Sequence, residues 1–151
     1  MVWLCLRGFT VPSLIIAVVV VGLTMPKTTF GHGNVQPQAV DTTGLESLGD
    51  EWLAENPYRD NADLQPVATE IGASAYNQNC ARCHGLEAIS GGIAPDLRNL
   101  NGGKFDDEWF MERVRNGYHQ GGVTKMPAFE DLMNQEAMWA IRTYIESRPE
   151  D

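Results

Sequence analysis

The residues of this chain with the most specific chemistry are Cys80-Ala81-Arg82-Cys83-His84. Their C-x-x-C-H spacing allows two thiols each to form a thioether to one haem, while the histidine that follows reaches the haem iron. The sequence therefore predicts one covalently attached haem c. Cys80 and Cys83 would be its thioether ligands and His84 its proximal iron ligand.

Three other uses of paired cysteines are less favoured by the sequence. A zinc site needs four ligands, usually from two Cys/His pairs, and only Cys5 remains outside the motif. A thioredoxin-like redox pair would need a βαβ context, but no strand-like run flanks Cys80. A disulfide between Cys80 and Cys83 would close a loop too short to add much stability.

The ligand on the other side of the iron would decide what the haem can do. Met126 is the leading candidate, because Pro127 restricts its backbone and stiffens the loop between two predicted helices. His119, in a glycine-rich segment, is the rival. If His84 and Met126 close both sides, the iron can exchange only an electron. An open or labile position would instead indicate a haem enzyme or a gas or redox sensor.

The N-terminal residues have the pattern of an export signal. Arg7 precedes an uninterrupted apolar run at 14–23, about half the length that a membrane-spanning helix needs. Small residues near Gly31 predict a signal peptide over 1–31, cleaved between Gly31 and His32. The protein would then be periplasmic, with no stable membrane insertion. If the segment stayed attached, the chain could be an anchored haem subunit of a respiratory complex.

The charge balance excludes one class of partner. The 11 Lys and Arg residues are outnumbered by 20 Asp and Glu, and removal of 1–31 would change the net charge from −9 to −11. Nucleic acid is therefore excluded as a natural partner, whereas an electropositive protein surface is favoured.

The rest of the chain predicts an irregular N-terminal extension over 32–65 and a helical domain over 66–151. The extension contains frequent Gly and Pro, with a possible short helix near 47–55 that packs on the core or a docking strip for a partner. Three main helices follow: one at 66–79, one from an N-cap at Asp106 to Gly117, and one from an N-cap at Asn134 to about 147. No segment alternates convincingly as a strand, so the domain is predicted to be all-α.

The motifs together resemble those of small soluble cytochromes c with a single His/Met-ligated haem. The series Gly72-x3-Tyr76-x3-Cys80 is similar to the family's first helix, which packs on the last helix through positions such as Ile141 and Tyr144. The segment 91–97 resembles the loop in which a proline carbonyl accepts a hydrogen bond from the axial histidine. The resemblance implies the cytochrome c fold, with Pro95 bonding His84 and Leu97 packing on the haem ring.

A narrower resemblance extends over nearly all of the chain after residue 31. The segments 37–42 and 56–59, with Trp52, are similar to the PedF-type cytochrome c associated with quinoprotein (PQQ) alcohol dehydrogenases. This resemblance implies a monomeric electron carrier rather than an enzyme. Its donor would be a PQQ-dependent alcohol dehydrogenase, and its acceptor a terminal oxidase or another cytochrome.

Overall fold

The computed structural model describes residues 36–101 and 107–149, so the predicted signal peptide lies outside the described residues. The regular elements in chain order are α1 (Gln65–Asn79), α2 (Ala81–His84), two short 3-10 helices (Leu86–Ala88 and Leu97–Asn101), α3 (Asp107–Asn116), the strands β1 (Tyr118–Gln120) and β2 (Val123–Met126), and α4 (Gln135–Glu146). The three main helices were predicted, and this mostly helical arrangement is consistent with the cytochrome c fold. None of the described helices is long and apolar enough to cross a membrane.

The crossing of α1 and α4 forms the centre of the described core. A Cβ atom on Gly72 would lie 1.9 Å from the carbonyl oxygen of Ala140, so only glycine allows the two backbones to approach this closely. One turn later the rings of Tyr76 and Tyr144 pack with their centroids 5.2 Å apart. The predicted packing of the glycine and the aromatic residue of α1 on the last helix is confirmed.

The ends of α3 and α4 also agree with the sequence signals. The side chain of Asn134 accepts a hydrogen bond from the backbone of Ala137, which makes it the N-cap of α4 as predicted. Gly117 follows α3 with φ +72°, and its N–H donates to Arg113 O at 2.9 Å. Asp106, the predicted N-cap of α3, lies outside the described residues.

The all-α prediction is wrong for residues 118–126, because β1 and β2 form an antiparallel hairpin. The turn between them is made by Gly121 and Gly122, whose φ angles are +59° and +77°. Positive φ at both central residues is the preference of a two-residue hairpin turn. The strands have only three and four residues and are mostly exposed on both faces, so they leave no alternating apolar pattern in the sequence.

The described part of the N-terminal extension, residues 36–64, is irregular, and the short helix expected near 47–55 is not formed. Side chains of α4 bind its backbone instead. Leu48 N donates to Glu136 Oε1 at 2.7 Å, and Leu53 N donates to Gln135 Oε1 at 3.2 Å. These bonds give both backbone N–H groups an acceptor without a helix. The extension consequently covers α4, and residues 135–145 are all buried.

Candidate functional site

The C-x-x-C-H motif occupies the turn where α1 passes into α2. Cys80 caps α1, and its carbonyl accepts hydrogen bonds from Cys83 N at 3.1 Å and His84 N at 2.9 Å. The two cysteines are therefore three residues apart on a helical turn, a spacing that brings side chains to the same side. Both thiols are free, so they do not form a disulfide in this structure.

The surroundings of the Cys80 thiol favour its protonated form. Burial of the thiol raises the pKa of Cys80 to about 12, and the charge of the nearby Cys83 makes a smaller contribution in the same direction. The residue as a whole is only partly buried. Reactive thiols in redox enzymes have lowered pKa values instead. The thioredoxin-like alternative is therefore not favoured by the structure.

His84 is oriented by the carbonyl oxygen of Pro95. His84 Nδ1 lies 2.8 Å from Pro95 O. A carbonyl can only accept, so Nδ1 carries the proton and Nε2 keeps its lone pair. Burial lowers the pKa of His84, against the opposing effect of the Pro95 bond, and the neutral ring is thereby favoured. A neutral imidazole with its second nitrogen held by a carbonyl is the usual form of a metal-binding histidine.

The backbone after His84 turns sharply, and this turn allows Pro95 to return to contact with the His84 ring. Gly85 has φ +82°, and a Cβ atom there would lie 1.8 Å from Ile89 O. Glu87 and Ala88 also have positive φ angles, of 56° and 66°. The hydroxyl of Tyr76 donates to Gly85 O at 2.8 Å and so attaches α1 to the residue next to the histidine.

The loop that carries Pro95 is held by a group of polar side chains that the sequence analysis missed. Asp96 accepts hydrogen bonds from Ser90 N at 3.1 Å and from Arg98 N, Nε and Nη2 at 2.9–3.1 Å. Chiefly because of Arg98, the pKa of Asp96 is well below its usual range. Ser90 Oγ also donates to Ala94 O. The Asp-x-Arg spacing was visible in the sequence, but its role depends on the path of the loop.

The candidate distal ligand comes from a different part of the chain. Met126 ends β2, is half-buried and packs against the core; Leu97, at the start of a 3-10 helix, also packs there. His119, the rival ligand, is exposed on β1, with Nδ1 3.1 Å from Thr124 Oγ1. The structure thus brings His84 and Pro95 into contact, while Met126 and Leu97 lie on separate elements. Within 36–101 and 107–149, no group of three or more His, Cys, Asp or Glu residues could hold a metal ion.

Comparison with known proteins identifies the family. The family model described as cytochrome c oxidase, cbb3-type, subunit III matches residues 67–145. The protein named cytochrome c550 from Pseudomonas aeruginosa is 59% identical over 129 residues, which cover 85% of this chain and 89% of that protein. The chain belongs to this family of c-type cytochromes. It is accordingly an electron-transfer protein rather than an enzyme, and its cofactor is one covalently bound haem c with iron.

Shorter matches relate the cytochrome to parts of larger proteins. The quinohemoprotein alcohol dehydrogenase ADH-IIG from Pseudomonas putida is 37% identical over 85 residues, covering 56% of this chain and 11% of that protein. The cbb3-type cytochrome c oxidase subunit FixP from Rhizobium meliloti is 34% identical over 123 residues, covering 73% of this chain and 38% of that protein. No solved structure matches the cytochrome significantly.

Proposed function

We propose that the cytochrome is a monomeric periplasmic one-electron carrier in which Cys80 and Cys83 form the haem thioethers and His84 and Met126 bind the iron from opposite sides. The observation that carries the proposal is the 2.8 Å hydrogen bond from His84 to Pro95 beside two free thiols. The bond keeps Nε2 of His84 available for iron, and the thiols are the groups that thioether formation requires.

The residues around this segment fit a covalently attached haem, and each has a distinct task. Pro95 O fixes the tautomer and the plane of the His84 ring, and Leu97 offers an apolar contact to the porphyrin. Pro127 limits the freedom of the backbone behind Met126. When bound, the haem supplies a one-electron iron couple, whose potential a thioether ligand raises relative to a second imidazole. Rigid placement of both ligands keeps the reorganisation that opposes electron transfer small.

The proposed donor is a PQQ-dependent alcohol dehydrogenase, and the proposed acceptor is a terminal oxidase or another cytochrome. Two observations support this pair: the resemblance to the PedF-type cytochrome, and matches to proteins named as a quinohemoprotein alcohol dehydrogenase and an oxidase subunit. A reduced quinone gives up two electrons and two protons. Since the carrier accepts one electron at each encounter, each quinol should reduce two cytochrome molecules.

Stopped-flow reduction by a PQQ-dependent alcohol dehydrogenase tests this function. We expect rapid reduction with two cytochromes per quinol and an association rate that falls as salt rises, because the cytochrome without residues 1–31 would have a net charge of −11. A dehydrogenase whose quinone site is blocked is the control. Reduction no faster than with that control would contradict the assigned donor, and a rate independent of salt would contradict electrostatic steering.

A test of the carrier role itself needs no partner. Carbon monoxide should leave the spectrum of the reduced cytochrome unchanged, because both axial positions are occupied by protein. Ready binding of carbon monoxide would contradict the carrier and favour a haem enzyme or sensor with an open position.

A haem subunit of an oxidase complex is the second candidate function, because the matching family is described as subunit III of such an oxidase. The two candidates differ in the fate of residues 1–31. We expect the mass of the mature protein to correspond to cleavage between Gly31 and His32 and the protein to be released from the periplasm. An uncleaved chain that stays with the membrane fraction would favour the subunit.

A further inference from the structure

Gly117 lies close to the backbone of Met126, the proposed distal ligand, and of the two residues that follow it. A Cβ atom at this position would lie 2.4 Å from Met126 O, 2.7 Å from Pro127 C and 2.8 Å from Ala128 N. All three atoms belong to the main chain, so no side-chain rotation could relieve the contact. The residue also has φ +72°, a conformation that glycine adopts readily.

Two further contacts attach the same loop to the end of α3. Phe129 N donates to Val114 O at 3.1 Å, and the Phe129 side chain is only 3% exposed. Across the hairpin, Tyr118 pairs with Met126. Residues 126–129 therefore pack against the end of α3. The contacts at the Cβ position of Gly117 are the shortest of those described here.

We propose that Gly117 is a positioning residue for the distal iron ligand, an inference that rests on the proposed role of Met126. Any side chain at 117 would push the Met126–Ala128 backbone away by about 1 Å to reach an ordinary contact distance. Such a shift would change the point from which the Met126 side chain reaches the iron, and Pro127 restricts how far the backbone beside Met126 can adjust. Gly117 therefore sets how firmly Met126 is held at the iron.

The test compares Gly117→Ala with Gly122→Ala. Gly122 has nearly the same φ, +77°, but a Cβ atom there meets nothing within 4 Å, so this control carries the conformational cost without the clash. Both variants should attach haem. We expect Gly122→Ala to keep the methionine–iron charge-transfer band and to exclude carbon monoxide. Gly117→Ala should lose about 90% of the band at neutral pH, bind carbon monoxide and have a lower reduction potential. A native band and potential in Gly117→Ala would overturn the proposal.

A variant that is merely less stable would not give this result. Ile141→Val, a core change at a residue that is 1% exposed, should lower the denaturation midpoint and leave the band and the potential of the folded protein unchanged. A Met126→Leu variant that kept the band would show that Met126 is not the ligand, and the proposed function would then fail. If Met126→Leu loses the band while Gly117→Ala keeps it, only the role of Gly117 fails.

A measurement on the unaltered protein covers the case in which Gly117→Ala does not accumulate. Added imidazole can bind iron only after Met126 leaves. If the loop must lift from Gly117 for this to happen, both processes report the rate of loop opening when imidazole is saturating and the pH is high enough for every opening to exchange the amide. Under those conditions the Phe129 amide should exchange with solvent at the rate of imidazole entry, within about threefold. An amide that exchanges at least about tenfold more slowly or more rapidly than imidazole enters would overturn the proposal.

Discussion

At the scale of single residues, the orientation of His84 depends on two hydrogen bonds, one to its ring and one to the residue that follows it. Pro95 O holds the ring at 2.8 Å, and the Tyr76 hydroxyl holds the next residue through Gly85 O at the same distance. Tyr76 is fully buried, so loss of its hydroxyl would leave a carbonyl without this partner. A phenylalanine would pack equally well in α1 but would lack this bond.

We therefore expect Tyr76→Phe to lower the free energy of unfolding of the holoprotein by about 1 kcal/mol. Tyr144→Phe is the matched control, since it removes a hydroxyl from the other ring of the tilted pair and should change stability by less than about 0.5 kcal/mol. Denaturant titration gives both values. Equal losses in the two variants would contradict a specific role for the Tyr76 hydroxyl.

Asp107 is the second residue whose contacts have a measurable consequence. Its carboxylate accepts hydrogen bonds from Asn56 N at 2.8 Å, Arg59 Nη2 at 2.6 Å and Arg142 Nε at 3.1 Å. Burial alone would raise the pKa of Asp107, but the bonds from Arg59 and Asn56 and the charges of Arg59 and Arg142 lower it. A carboxylate with a lowered pKa in the folded state stabilises the fold above its unfolded pKa of about 4, and this contribution is lost as the pH falls through the folded value.

The pH dependence of Asp107→Asn follows from this sign. At pH 7 we expect the variant to be less stable by about 3 kcal/mol, since the buried Arg142 keeps a weaker partner. The difference should begin to shrink below about pH 4, where the unfolded chain takes up a proton, and should disappear once the pH falls below the lowered pKa of the folded carboxylate. Urea titrations at several pH values measure it, and Asp63→Asn, an exposed residue outside the network, is the control. A difference that stays constant down to strongly acidic pH would show that the charge of Asp107 is not responsible.

At the scale of elements, the close crossing of α1 and α4 requires a residue without a side chain, Gly72, in α1. At Gly72 a Cβ atom would meet the Ala140 carbonyl at 1.9 Å and the Tyr144 Cβ at 3.0 Å. The helices could accommodate it only by moving apart, and this would separate the two tyrosine rings.

Gly72→Ala should consequently destabilise the cytochrome by about 3 kcal/mol, although alanine is the better helix former. Asn77→Ala, at an exposed position of the same helix, should change stability by no more than about 0.5 kcal/mol. Thermal unfolding followed by circular dichroism compares the two. A neutral or stabilising Gly72→Ala would mean that the helices do not cross as closely as described.

Elements with strong local signals could be predicted from the sequence. The Asn134 side chain caps α4 and Gly117 ends α3 because capping depends on a few neighbouring residues. The hairpin was missed because its short exposed strands carry no apolar alternation. The helix expected near 47–55 is absent because Gln135 and Glu136, far along the chain, bind that backbone.

The same distinction applies to the candidate site. Cys80, Cys83 and His84 could be proposed as haem-binding residues from spacing alone, and the bond from His84 to Pro95, which the structure contains, was implied by the family resemblance. The contribution of Asp96 and the contact beneath Met126 at Gly117 could not, because both depend on how loops fold back on the helices.

At the scale of the whole molecule, the extension acts as part of the core. A domain of about 80 residues has a thin core. Tyr58 of the extension is 1% exposed, and Val40, Leu45, Leu48 and Trp52 pack partly buried against the core. Residues before α1 therefore supply apolar contacts that the helices alone lack.

Tyr58→Ala should accordingly lower the free energy of unfolding by about 3 kcal/mol. Tyr58→Phe should be neutral or slightly stabilising, because the Tyr58 hydroxyl is buried without a hydrogen-bond partner among the described residues. Chemical denaturation of the holoprotein distinguishes the two. A small effect of Tyr58→Ala would show that the extension lies on the domain without stabilising it.

The proposed function requires His84 and Met126 to occupy both axial positions of the iron, because the protein can then exchange only electrons. The most direct measurement is the methionine–iron charge-transfer band of the oxidised protein in two matched variants, Met126→Leu and Met111→Leu. Met111 is a buried methionine of α3, and leucine is a conservative replacement for it. We expect the band to be present in the wild type and in Met111→Leu. It should be absent from Met126→Leu, which should also bind carbon monoxide when reduced. A band that survives in Met126→Leu, or is missing from the wild type, would contradict the proposed function.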